Sequence, residues 1–232
     1  MADETVGEGS KGGKATLTSL REGSTDSRAV QAYYDNWAST YDETLKEWRY
    51  VAPADAADLL VPLLQEGAEI LDVGCGTGGM GAELAARGGY LIDGLDISAT
   101  SLAHAGQRGV YQNLKQCDLQ QLPLPFAENT FDAAVSVGVL TYIEDASALM
   151  QDLCRVVRPG GIIAFSMRSD LWTARAYPKM LRNLASTGAW QVHHISAPMP
   201  YLPGNDSFLE EIKVIHTLCR VGIRDAEGAN LP

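Results

Sequence analysis

The sequence of 232 residues lacks the features of a disulfide scaffold, a metal centre or a membrane protein. It has four cysteines, Cys75, Cys117, Cys154 and Cys219, and no two of them have Cys-X-X-Cys or metal-ligand spacing. We therefore predict packed, unreactive thiols and no metal site. No apolar run approaches the length of a membrane span, and no secretory signal is expected. These absences predict a cytoplasmic protein that has no membrane partner.

Basic residues are also scarce. The sequence has 18 Lys and Arg against 29 Asp and Glu, so its formal net charge is -11. Nucleic acids and anionic membrane surfaces attract basic patches, and this sequence contains no run of Lys or Arg. Binding to nucleic acid is therefore not expected.

The beginning of the chain differs in composition from the rest. Residues 1–25 are rich in Gly, Ser, Thr, Lys and Glu without a sustained apolar period, which predicts a disordered tail. We predict that residues 26–232 form a single domain. It begins with helices over about 27–65, because Val30, Tyr34, Trp37 and Tyr41 recur at helical spacing.

After residue 65 the pattern changes to short apolar strands that alternate with helices. Such alternation is typical of βαβ units and a parallel sheet. We predict an α/β, doubly wound fold, with a mostly parallel seven-stranded sheet and helices on both faces. The predicted strands cover residues 69–73, 90–95, 110–117, 131–137, 162–167, 190–196 and 213–221. The last predicted helix covers residues 172–186.

The most informative segment is the glycine-rich loop after the first strand. Asp72 is followed by Gly74, Gly76 and Gly78, which gives Gly-X-Gly-X-Gly instead of the Gly-X-Gly-X-X-Gly of dinucleotide sites. In doubly wound folds a nucleotide-like ligand binds at such a turn. A carboxylate there would repel a pyrophosphate and attract an ammonium group. The loop therefore favours a ligand with a cationic amine.

Two further carboxylates follow later strands. Asp96 ends the second predicted strand, where an acidic residue can accept hydrogen bonds from both hydroxyls of a ribose. Asp118 follows the third strand, where it suits an adenine amino group, and the backbone N–H of Leu119 suits the adenine ring. Three strand ends thus predict contacts to the amine, the ribose and the adenine of one ligand.

These segments resemble the class I S-adenosylmethionine-dependent methyltransferases of the type 11 subgroup. The motifs that carry the resemblance are residues 71–78, 94–98, 123–126 with 131–132, and 158–161, with 33–38 and 41–42 similar to the subgroup's lid helix. The layout is also similar to the Williams–Beuren-region methyltransferase-like proteins. The resemblance implies S-adenosyl-L-methionine as cofactor and S-adenosyl-L-homocysteine as product.

The predicted cofactor-binding residues combine these strand ends with the lid helix and the end of the fourth strand. They are Tyr34, Tyr41, Asp72, Gly74, Cys75, Gly76, Gly78, Asp96, Ile97, Asp118, Leu119, Ser136 and Val137. Tyr34 and Tyr41 also fit the core of an amphipathic helix, and Tyr142 fits either role. Arg168 and Asp170 fit an acceptor site or a solvated loop equally. The four histidines are interpreted as structural, and no catalytic residue is assigned.

The acceptor cannot be derived from these motifs. The type 11 resemblance favours direct, in-line methyl transfer to a small molecule on an N, O, S or C atom. The alternatives are methylation of a protein, whose basic segment would suit the acidic chain, and a non-catalytic protein that binds S-adenosylmethionine or S-adenosylhomocysteine. Nothing in the sequence predicts an oligomeric state.

Overall fold

A mixed, mostly parallel β-sheet lies at the centre of the protein, as a computed structural model that describes residues 23–205 and 212–222 shows. Its strands are β1 (Glu69–Val73), β2 (Leu91–Asp96), β3 (Tyr111–Gln116), β4 (Phe131–Ser136), β5 (Val157–Arg168), β6 (Trp190–Ile195), β7 (Met199–Pro200) and β8 (Lys213–Val221). The order is β3-β2-β1-β4-β5-β8-β6, and β7 pairs with β8. Strands β1 to β5 pair in parallel, whereas β8 runs antiparallel to its neighbours.

Helices cover both faces of this sheet. They are α1 (Ser27–Glu47), α2 (Ala52–Leu60), α3 (Gly79–Ala85), α4 (Ala99–Gln107), α5 (Ala146–Val156), α6 (Ser169–Ala174) and α7 (Tyr177–Ser186), with 3₁₀ turns at Val61–Leu63 and Leu140–Tyr142. Helices α2 and α3 pack with the sheet in one apolar cluster, and α5 and α7 pack in the other. The predicted doubly wound α/β class is confirmed.

Local sequence explains where these elements begin. Ser98 caps α4 by accepting the N–H of Ser101 at 2.9 Å, as its position before the helix predicts. Asp145 caps α5 in the same way through the N–H of Ala148 at 2.9 Å. Strand β4 is buried along most of its length, as a central parallel strand should be.

The predicted helix over residues 172–186 is wrong in one respect, because the structure has two helices there. Ala176 adopts a left-handed conformation with φ of 54° and separates α6 from α7. Pro178 lies in the first turn of α7, where its missing N–H is tolerated. Strand β7 adds a two-residue pairing within a predicted loop.

Two further expectations concern the N-terminal tail and membrane-spanning helices. Of the tail predicted to be disordered, residues 1–22 lie outside the described residues. Among the residues that are described, no helix is both long enough and apolar enough to cross a membrane.

Candidate active site

A cavity lies at the carboxyl ends of the parallel strands. Strand β1 lies between β2 and β4, so the chain order reverses at β1. This is the switch point at which doubly wound sheets bind ligands. The predicted residues that line this cofactor cavity are Tyr34, Tyr41, Gly74, Gly76, Asp96, Ile97, Asp118, Leu119 and Val137.

The glycine loop forms one wall of the cofactor cavity. The N–H groups of Gly74 and Cys75 both donate to the carbonyl of Leu95 at 2.8 Å, which fixes the loop to the end of β2. Gly76 has a φ of 54°, and a Cβ added there would meet no atom within 4 Å. A ligand can therefore approach the backbone of Gly76 directly.

Asp96 lies beside this loop in a fixed orientation. Its Oδ2 accepts the N–H of Gly76 and its Oδ1 accepts the N–H of Ser98, both at 2.8 Å. Burial raises the pKa of Asp96, and these backbone N–H groups oppose the rise. The result is a preorganised pair of acceptor oxygens at the cavity wall, which suits a diol.

Asp118 and Gln120 form the far edge of the cavity. Asp118 Oδ1 accepts the N–H of Gln120 at 3.0 Å. The Gln120 amide donates to the carbonyl of Thr25 at 2.8 Å and to Ser27 Oγ at 2.9 Å. The start of α1 is thus joined to the strand end where the adenine contact is expected.

Helix α1 covers the cavity and is held by polar contacts on both sides. Ser98 Oγ donates to Asp35 Oδ1 at 2.6 Å, and Thr77 Oγ1 donates to Asp42 Oδ1 at 2.5 Å. Arg108 also donates to Asp42 and forms an ion pair with it. These contacts place Tyr34 and Tyr41 in the cavity wall, as predicted.

Asp72 is located away from the cavity wall. It is buried with 1% exposure, and Tyr111 Oη donates to its Oδ2 at 2.7 Å. Burial raises the pKa of Asp72 to about 7, while the hydrogen bonds from Tyr111 and from the N–H of Gly81 oppose the rise. Alternation along β1 explains this placement, because Asp72 shares the face of Ile70, which α2 and α3 cover.

Three more predicted residues are likewise absent from the wall of the cavity. Cys75 is a buried thiol whose pKa is raised by burial, and its Sγ packs toward the backbone of Gly94. Gly78 caps α3 with a φ of 90° and packs against Tyr111. Ser136 is fully buried and donates to the carbonyl of Val73 at 3.1 Å. These residues support the glycine loop on its side away from the cavity.

The cavity also contains residues that the sequence did not single out: Ser27, Val30, Gln120, Val139 and Ile143. Val30 could have been found, because it lies four residues before Tyr34 on the same helical face. Gln120, Val139 and Ile143 follow strand ends by a few residues, and Ser27 begins α1; none of them belongs to a motif. Gly138 and Tyr142 line the cavity as well.

A second space adjoins the cofactor cavity and is called the aromatic chamber below. Six of its wall residues are Tyr34, Tyr41, Tyr50, Tyr142, Arg168 and Tyr201. Tyr34, Tyr41, Gly138 and Tyr142 belong to both walls. The two spaces therefore share a wall at these residues.

The histidines lie outside both spaces. His193 and His194 are exposed on β6, and His104 is half-buried on α4. His216 is buried on β8, and its ring nitrogens have no hydrogen-bond partner among the described residues. Within residues 23–205 and 212–222, no group of three or more His, Cys, Asp and Glu side chains could hold a metal ion.

Comparison with known proteins agrees with this geometry. A family described as a methyltransferase domain matches residues 71–165. Methyltransferase-like protein 27 of Homo sapiens is 38% identical over 165 residues, which is 68% of this chain and 67% of that protein. The chain belongs to the class I S-adenosylmethionine-dependent methyltransferases. This methyltransferase uses S-adenosylmethionine as its cofactor.

Two further relatives extend the comparison. The malonyl-[acyl-carrier protein] O-methyltransferase of Pseudescherichia vulneris is 35% identical over 141 residues, which is 60% of this chain and 53% of that protein. The methyltransferase thus spans about half the length of that relative. A solved S-adenosylmethionine-dependent methyltransferase from Mesorhizobium loti has a TM-score of 0.56 at 21% identity, over 70% of this chain and 96% of that one. That likeness supports the fold.

The residues present fit the cofactor. Two carboxylates line the cavity at separate strand ends, and the open side of Gly76 leaves room for close approach to the backbone. The chemistry of the wall therefore suits a ligand that combines a diol and a flat base.

Proposed function

We propose that this methyltransferase transfers the methyl group directly to a small-molecule acceptor. The observation that carries the proposal is the aromatic chamber, a space that shares a wall with the cofactor cavity. Helix α1 contributes to the walls of both spaces, and a chamber covered by a helix suits a small molecule better than an extended peptide segment. Residues 26–232 act as one methyltransferase domain in this proposal.

Each wall residue has a proposed role toward the cofactor. Asp96 accepts hydrogen bonds from the ribose hydroxyls, and Asp118 with the Leu119 N–H binds the adenine. Gly74 and Gly76 let the methionine part lie against the loop, and Tyr41 covers it. Asp72, Cys75, Gly78 and Ser136 support the glycine loop on its side away from the cavity. S-adenosylmethionine supplies an activated methyl group, so the protein's task is to position the acceptor.

Calorimetry with S-adenosylmethionine and S-adenosylhomocysteine tests the cofactor site. We expect Asp96→Ala to weaken binding by about 1.5–3 kcal/mol, the range for hydrogen bonds to a charged group. Asp93→Ala is the matched control on the same strand, because Asp93 bonds to Asn113 outside the cavity. Unchanged binding in Asp96→Ala would refute the ribose role, and no binding by the wild type would refute the proposed function.

A screen that follows S-adenosylhomocysteine formation tests the acceptor. Turnover of small molecules supports the proposal. Turnover of basic peptides alone would indicate a protein methyltransferase. Tight cofactor binding without turnover on either panel would indicate a binding protein that does not catalyse.

A further inference from the structure

Arg168 brings a charged guanidinium group to the wall of the aromatic chamber. Among the described residues, it is the charged side chain in the chamber wall. Its side chain is 5% exposed, and Asp170 accepts from its Nε at 3.1 Å and from its Nη2 at 2.6 Å. Asp170 is not part of the wall, and its own side chain is 35% exposed. Arg168 therefore brings to the wall of the chamber a guanidinium group that Asp170 holds from outside it.

Tyrosines supply most of the other polar side chains in the chamber wall. They are Tyr34, Tyr41, Tyr50, Tyr142 and Tyr201, and hydrogen bonds join Tyr34 to Tyr142 and Tyr50 to Tyr201. Burial is the first cause that raises the pKa of each of them above its ordinary value. They therefore stay neutral, and they can donate hydrogen bonds to an anion. An ammonium ligand would instead lose hydration and face Arg168.

The described wall of the aromatic chamber also lacks a group that could readily take a proton from the acceptor. No Lys or His lines either space within the described residues, and the carboxylates of Asp96 and Asp118 lie in the cofactor cavity alone. A neutral tyrosine is a poor base. The arrangement suits a nucleophile that is already deprotonated at neutral pH, and a carboxylate meets this condition.

Building on the proposed methyltransferase function, we propose that the acceptor is a small organic acid whose carboxylate binds Arg168 in the aromatic chamber. One carboxylate oxygen accepts from Arg168, and the other is the nucleophile. A bond forms between this oxygen and the methyl carbon while the carbon–sulfur bond breaks, and the electron pair stays on sulfur. The carboxylate and the sulfonium become a neutral methyl ester and S-adenosylhomocysteine. No proton needs to move, so no base is required.

Binding to the protein saturated with S-adenosylhomocysteine tests this assignment without turnover. Hexanoate, benzoate and phenylacetate are titrated by calorimetry beside their carboxamides and beside hexylamine and benzylamine. We expect at least one acid to bind about tenfold or more tightly than its amide. Arg168→Gln should remove this preference and leave the affinity for S-adenosylhomocysteine unchanged, and Arg168→Lys should restore part of it. Arg182→Gln, at an exposed arginine of α7, is the matched control and should behave as the wild type.

Turnover of the acid that binds completes the test. Mass spectrometry should show its methyl ester, with a raised acceptor KM in Arg168→Gln and an unchanged KM for S-adenosylmethionine. Equal binding of acids and amides, preferred binding of amines, methylation of another atom, or no bound acid at all would overturn the assignment. The comparison of acid with amide in the wild type stands even if Arg168→Gln fails to fold. Failure to bind S-adenosylhomocysteine would instead count against the proposed function itself.

Discussion

Tyr111 contributes to the cofactor site from outside the cavity. Its ring packs against Gly78, Gly81 and Gly94, and its hydroxyl donates to Asp72. Tyr111→Phe leaves the buried Asp72 with one donor fewer, so we expect a loss of about 1–3 kcal/mol in the free energy of unfolding. Urea denaturation measures this loss. Tyr90→Phe is the control, at a half-buried tyrosine on the rim of the sheet, and should change stability by less than about 0.5 kcal/mol. Equal effects in the two variants would contradict this role.

At the level of single residues, the sequence predicts which residues lie near the site better than it predicts where each side chain points. Asp96, Asp118 and Leu119 line the cavity because each lies at, or just after, the carboxyl end of a parallel strand. Asp72 was assigned from its motif, but its direction depends on the alternation of β1. The same alternation separates Ser136, which points into the core, from Val137, which lines the cavity.

At the level of elements, helix α3 offers a paired test of how the loop is packed. A Cβ at Gly81 would lie 2.4 Å from the hydroxyl and ring of Tyr111, whereas a Cβ at Gly79 would meet no atom within 4 Å. Both residues belong to the helix. We expect Gly81→Ala to destabilise the protein by about 1–3 kcal/mol through overpacking. Gly79→Ala should stabilise it by about 0.5–1 kcal/mol through helix propensity. Thermal unfolding distinguishes the expected loss of stability in Gly81→Ala from the expected gain in Gly79→Ala. Destabilisation by both substitutions would contradict the contact with Tyr111.

Helix α1 should be the element that a ligand stabilises most. Its contacts with the rest of the protein near the cavity include the bond from Ser98 Oγ to Asp35, so Asp35→Ala should weaken its docking. We expect the amides of α1 to lose about tenfold in hydrogen-exchange protection while β1 and β4 keep theirs. Bound S-adenosylhomocysteine should restore the protection. Glu43→Ala, at an exposed position of the same helix, is the control. Equal loss in α1 and in the sheet would mean that the contact stabilises the whole fold.

The sequence predicts a helix or strand well where its apolar residues recur periodically. It predicts poorly the features that depend on tertiary packing. The apolar strands and capped helices follow from local pattern. The break at Ala176 does not, because a left-handed alanine is imposed by its surroundings. The aromatic chamber was also beyond prediction as a unit. Tyr50, Arg168 and Tyr201 come from distant segments, and only the tertiary fold brings them together.

At the level of the whole molecule, two buried groups in separate parts of the fold respond oppositely to pH. Burial raises the pKa of Asp72 from 3.8 to about 7, so the folded state holds this proton more tightly than the unfolded state. Its stabilising contribution is present below the unfolded pKa and is lost as the pH rises through 7. Burial lowers the pKa of His216 from 6.5 to about 4, and the nearby His194 adds to this. Its contribution is present above 6.5 and is lost as the pH falls through 4.

Between pH 4 and pH 6.5 these two contributions should oppose one another. Each changes the free energy of unfolding by about 1.4 kcal/mol per pH unit, with opposite sign. Relative to the wild type, Asp72→Asn should therefore gain stability as the pH rises over this window, and His216→Gln should lose it. The variant with both changes should follow the wild-type slope, whatever its absolute stability. Urea denaturation at several pH values measures the slopes, and all other titrating groups cancel in the differences. Parallel curves for the wild type and both single variants would show that neither group titrates in this way.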